Sequence, residues 1–404
     1  MANSSINCRR TQWKGRPGYC LNNGRVQMTA LTGGGAMADF RCRCGTDEWS
    51  PNLLWEAPWP TMDPVNFQRR HSRQYGPPFV GKFLAGLAGN TLCLDYFGAP
   101  SEDEIRQGLC LHGEASVIRW KAAGAGGDLT MDARLPVAGL AFRREMSVLA
   151  GESVIYVRET VTNPKSADHF LHWVQHVTLG PPFLQGGESV IALPIARGKT
   201  WPHGYEGKSL LENDREFEWP FAPAEGGGRA DLSKPFIQAG TGLVAAVLFD
   251  SNRTWAYVAV LNFRLGLLLG FCFPRRTYPW ATLWEENCAR HDVPWNGKTQ
   301  ARGIEFGTTP FPVGRQSAFA MGNLFGVPTF ARVPARGKML ANYAIFMTPV
   351  SRDWRVIREV QPEDGSIMIV AGNGDQIRLP ARGLSKIGPA EMIPRNRGGA
   401  DQYG

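Results

Sequence analysis

The sequence predicts an all-β protein built as one large antiparallel β domain. Three observations carry that prediction: side chains alternate with period two along the chain, turn residues are abundant, and helical periodicity is rare.

Alternation comes first because it also assigns faces. Val154, Tyr156, Arg158 and Thr160 fall on one side of an extended segment, with Ile155, Val157, Glu159 and Val161 on the other. Phe170, His172, Val174 and His176 alternate with Leu171, Trp173, Gln175 and Val177 in the same way. Leu243 to Phe249, Thr254 to Leu261 and Leu267 to Phe273 read as three strands, parted by Asp250-Ser251-Asn252-Arg253 and Asn262-Phe263-Arg264. Ala344 to Met347 and Ser366 to Ala371 continue the series.

Turn chemistry agrees. The 404 residues include 47 glycines and 29 prolines, about a fifth of the chain against a usual ~12%. No G-X-Y period accompanies them, so they punctuate many short segments. Gly33-Gly34-Gly35, Gly226-Gly227-Gly228 and Gly372-Asn373-Gly374-Asp375 fall between strand runs. One short helix is expected at Ser101 to Gln107, where a serine N-cap precedes an acidic first turn. No βαβ rhythm and no fixed-period repeat appear. Residues 26–385 are assigned to a single sandwich domain, residues 1–25 to a loosely attached segment and residues 386–404 to a flexible tail.

Composition excludes several classes. A hydrophobic content of 43% supports a large core, and a net charge of +8 is mild over this length. The basic residues are scattered, without the stripe or motif of a nucleic-acid binder. Thr254 to Phe273 is interrupted by Asn262, Arg264 and Gly266, so it reads as a hairpin and not a membrane span. The N-terminus has basic residues but no apolar stretch of a secretory signal. Eight cysteines without zinc spacing read as reduced thiols in a cytoplasmic protein. His169, His172 and His176 form H-x2-H-x3-H, yet a strand would put His172 and His176 about 13 Å apart on one face and His169 on the other. No metal site is expected from them.

Three residues stand out by their surroundings. His112 sits in Leu111-His112-Gly113, His176 closes a strand before Gly180-Pro181-Pro182, and Glu305 lies in Arg302-Gly303-Ile304-Glu305-Phe306-Gly307. Glycines permit close approach of backbone or ligand, and a carboxylate among glycines and aromatics suits a base at a pocket rim.

That order of motifs, with Leu54-Trp55-Glu56-Ala57-Pro58-Trp59-Pro60 and Asp95-Tyr96-Phe97-Gly98 before it, resembles the galactose mutarotase (aldose 1-epimerase) superfamily, in an uncharacterised bacterial branch. The resemblance covers roughly residues 30 to 385. It implies a β-supersandwich that binds a hexose in an open cleft and interconverts its anomers without a cofactor. By motif, His176 resembles the acid that protonates the ring oxygen, Glu305 the base at the anomeric hydroxyl, and His112 a hydrogen-bonding partner of the sugar. An arginine upstream of the His-Gly motif is also implied, and Arg106 and Arg41 both qualify. Trp280 and Trp284 are candidates for stacking on the sugar. Two other readings stay open on the same scaffold: a carbohydrate-binding protein without turnover, and a different sugar isomerase, lyase or hydrolase.

Overall fold

The computed structural model describes residues 6–45, 48–387 and 392–393. The alternation seen in sequence resolves into two large antiparallel sheets packed face to face. Five strands at the centre of the larger sheet build the site: β1 (Asn90–Asp95), β2 (His169–Leu179), β3 (Thr241–Phe249), β4 (Trp280–Asn287) and β5 (Gln300–Gly307). Among the described residues this sheet has 13 strands. Its order runs from Asn7–Trp13 through Arg16–Asn22, Val26–Leu31 and Met37–Cys44 to β1, β2, β5, β4, β3, Ile195–Thr200 and Glu216–Phe217. Along this order the strands before β2 lie on one side of the β2–β5 junction and the later ones on the other; Ala331–Val333 also pairs with the start of β2.

The second sheet has nine strands among the described residues, with Lys338–Pro349 between Leu267–Pro274 and Val154–Thr162 at its middle. One core lies between the sheets. Leu171, Trp173, Val177 and Leu179 of β2 and Ile304 and Phe306 of β5 enter it, together with Ile155, Val157, Phe271 and Tyr343 from the facing sheet. A smaller three-stranded sheet, Ile357–Glu363, Ser366–Ala371 and Gln376–Pro380, covers the outer face of the second sheet. Ile367 and Ile369 pack there against Tyr257, Ala259 and Phe346.

Two buried ion pairs lie inside the main core. Arg144 and Glu159, both fully buried, meet at 2.7 Å, and Glu159 also accepts hydrogen bonds from Trp173 (3.0 Å), Gln175 (2.7 Å) and Tyr343 (3.2 Å). Arg302 and Glu285 form a second buried pair at 3.0 Å. Unpaired, each charge would carry a desolvation cost of several kcal/mol.

The strands expected at 154–161, 243–249, 254–261, 267–273 and 366–371 form with boundaries shifted by two residues or fewer. Thr254 to Phe273 is a strand hairpin, and among the described residues no helix is long and apolar enough to cross a membrane. The short helix spans Glu102–Arg106, with Ser101 and Glu104 in a reciprocal capping box. The expected loose attachment of residues 1–25 does not hold for the described part. Asn7–Trp13 and Arg16–Asn22 are paired strands at the sheet edge, where basic side chains such as Arg9 and Arg10 are the usual guard against further pairing. Of the expected tail, Lys386 ends a helical turn, Met392–Ile393 pair with Lys338–Met339, and most of the remainder lies outside the described residues.

Candidate active site

Strand register makes the site. His176 of β2 stands directly opposite Glu305 of β5, which in turn stands opposite Thr282 of β4. Because Trp173, Val177, Ile304 and Phe306 point to the core, His176 and Glu305 share the other face. Their Nε2 and Oε1 atoms are 3.2 Å apart. The Nδ1 of His176 lies 3.1 Å from Thr178 Oγ1, so both ring nitrogens have a partner.

His112 completes the group from a loop. Its φ of +61° is left-handed, and Gly113 follows at +87° against the backbone carbonyl of Leu94; a side chain at Gly113 would collide there. The N–H of Gly98 donates to His112 Nδ1 at 3.2 Å, so a neutral His112 carries its proton on Nε2. Its ring lies 5.2 Å from that of His176 and 4.9 Å from Phe83.

The three residues line one cleft of about 380 Å³, within the ~300–1,000 Å³ usual for small-molecule sites. Trp284, Trp201, Trp295, Tyr205 and Arg290 form much of the rest of its wall. Trp284 donates through Nε1 to the Tyr205 hydroxyl (3.2 Å), which donates to buried Glu286 (2.6 Å). Arg290 lies over the rings of Tyr205 (4.9 Å) and Trp295 (5.1 Å), a cation–π arrangement that stiffens this wall.

Electrostatics favour neutral forms. Burial pushes the Glu305 carboxyl well above its usual range and lowers His176 to about 4. Burial, then the neighbouring His176 and Arg290, hold His112 well below 6.5. Burial thus favours the uncharged form of each group, with the proton on the carboxyl group and not on the imidazole.

The other expected site residues divide. Trp284 lines the cleft. Trp280 does not: it is fully buried, and its indole N–H donates to Pro328 O at 2.9 Å. Arg106 does not either; its exposed side chain pairs with Asp103 and Glu102 on its own short helix, where solvent and i,i+3 spacing hold it. Arg41 pairs with Asp39 at 2.9 Å, away from the cleft. The three histidines of H-x2-H-x3-H have separate partners: His169 meets Asp95 (2.7 Å), His172 accepts from Phe97 N–H (3.2 Å), and His176 meets Glu305. Sequence reading missed Phe83, Trp201, Tyr205, Arg290 and Trp295. The run from Trp284 to Trp295 enclosing Arg290 was the available signal, but its residues converge only through the loop between β4 and β5.

The Leu54 to Pro60 segment acts behind this wall. Trp55 N–H donates to Thr178 O (2.9 Å), tying the segment to β2 beside His176. Trp59 packs edge-on against Trp55 and Trp295 at 5.5 and 5.0 Å.

No protein-family model and no curated protein matches the sequence. Solved structures do match in fold. A protein of Klebsiella pneumoniae provisionally named an aldose 1-epimerase superposes with a TM-score of 0.54 at 15% identity, over 84% of this chain and 82% of its own. One from Escherichia coli with the same provisional name gives 0.54 at 11% identity, over 82% and 99%. A galactose mutarotase-like protein of Clostridium acetobutylicum gives 0.51 at 11% identity, over 86% and 100%. The chain has the galactose mutarotase-like β-sandwich fold.

Proposed function

We propose that the protein interconverts the anomers of a hexose or related sugar by acid–base ring opening at His176 and Glu305. The observation that carries this reading is the buried His176–Glu305 contact at 3.2 Å on the wall of a cleft of about 380 Å³.

The resting proton sets the direction of transfer. Glu305, as the acid, protonates the ring oxygen while the C1–O bond breaks and its electron pair goes to that oxygen. His176, neutral, takes the proton of the anomeric hydroxyl as C1 becomes a carbonyl. This reverses the roles implied by the sequence resemblance. The open-chain state leaves a carboxylate beside an imidazolium, an ion pair in a site of low dielectric. After rotation about C1–C2, the imidazolium returns its proton to the carbonyl oxygen and the carboxylate takes one from the attacking hydroxyl. The pair is then restored. His112 offers its Nε2–H to a sugar oxygen, and Trp284 and Trp201 offer ring faces to its C–H surface.

Polarimetry or NMR exchange on freshly dissolved sugars tests the proposal. The wild type accelerates anomer exchange, and His176→Asn and Glu305→Gln each lose roughly 10²–10⁴-fold, the usual weight of one acid–base group. Equal rates for all three proteins would refute it.

A further inference from the structure

We propose that a second cavity, sharing no lining residue with the His176–Glu305 cleft, binds the phosphate group of a small organic phosphate. The cavity, about 540 Å³, lies beside the turn after Leu267–Pro274 and is bordered by residues of the segment 326–332. Arg275, Arg276 and Arg332 line it, and among the described residues no Asp or Glu does. Of these three guanidinium groups, among the described residues only that of Arg332 is in a carboxylate ion pair, with Asp168, so the lining carries excess positive charge, and arginine forks match phosphate oxygens two at a time.

Unmet donors point the same way. Arg275 donates its Nε to Phe249 O at 3.2 Å, but its buried Nη2 has no hydrogen-bond partner among the described residues. Thr277 is 1% exposed, and its hydroxyl is likewise unpartnered. Both residues line the cavity, and buried donors left unmet are costly. Arg332 is oriented by Asp168 at 2.8 Å through Nη1, while Arg276 is exposed and has no carboxylate partner among the described residues. Phe330 and Met339 give the cavity apolar lining as well, so its size and walls suit a phosphate carrying an organic group better than phosphate alone.

Thermal shift of the full chain at constant ionic strength tests this with phenyl phosphate, inorganic phosphate and glucose. Phenyl phosphate should raise Tm saturably, with a midpoint at least fivefold below that of inorganic phosphate. Arg276→Gln, an exposed change that keeps the ligand-free Tm, should raise that midpoint tenfold or more. Glu305→Gln, which alters the other cleft, should leave it unchanged, and glucose should not compete. No saturable shift, an unchanged midpoint in Arg276→Gln, or a midpoint moved by Glu305→Gln would each overturn the proposal. Equal midpoints for the two phosphates would overturn the assignment to an organic phosphate.

Discussion

His176 and Glu305 occupy one register position on neighbouring antiparallel strands and touch through Nε2 and Oε1 at 3.2 Å. Two groups this close titrate as a unit. Burial favours the form with a single proton and no net charge, which is also the form that ring opening needs.

The pH profile of anomer exchange follows from that proton. His176 gains a second proton only as pH falls to about 4, and Glu305 releases its own well above the usual carboxyl range. The acid limb of the rate should therefore lie near pH 4. An acid limb centred on 6.5, the ordinary imidazole value, would show that His176 is not held neutral as described.

Gly303 gives a test of placement without touching either reacting group. It shares the cleft face with Glu305, and a Cβ built on it would overlap Glu305 Oε1. Gly303→Ala should displace the carboxyl group by about an ångström and cost roughly 10²-fold in kcat. Urea unfolding should change little, because the overlapping atom ends a side chain that can turn. A variant with wild-type kcat would show that the carboxyl position is not critical.

The core network makes a different prediction. Removing the Glu159 carboxylate leaves Arg144 buried without its counter-charge. Glu159→Leu should therefore destabilise the fold by about 3–5 kcal/mol, read as a lower urea midpoint. Replacing Arg144 and Glu159 together by Met and Leu should recover much of that loss.

Buried histidines predict acid sensitivity. His172 is lowered to about 4, chiefly by burial and then by Arg315, whereas an unfolded histidine titrates near 6.5. Between those values the unfolded chain binds a proton that the folded chain does not. Stability therefore falls as pH drops from 6.5 to 4, by up to about 3 kcal/mol for this residue. His172→Gln should flatten that slope in urea titrations at pH 7, 6 and 5; an unchanged slope would assign the effect to other groups.

Much of this architecture was legible because period-two alternation survives in single segments. Phe170 to Val177 alone places His172 and His176 opposite Trp173 and Val177, and the structure keeps that division. The edge strands at Asn7–Asn22 were illegible because their basic residues look like a solvated tail, and only pairing reveals them as a rim. Helix Pro78–Gly86, which supplies Phe83, is short and rich in Pro and Gly, so its periodicity is weak. Trp280 and Trp284 share one strand face, and no local signal tells that one meets Pro328 while the other opens on the cleft. Arg106 failed for a related reason: chain order says nothing about which arginine reaches a cavity assembled from distant loops.

The sheet order has a consequence for biosynthesis. As the ribosome emits the chain, the strands up to β2 can pair among themselves, leaving the His176 strand as an open edge until β5 is made. Nascent chains stalled between residues 180 and 300 would expose that edge and its apolar face to other polypeptides. The acid–base pair is thus a late product of folding, formed only when the two halves of the sheet join.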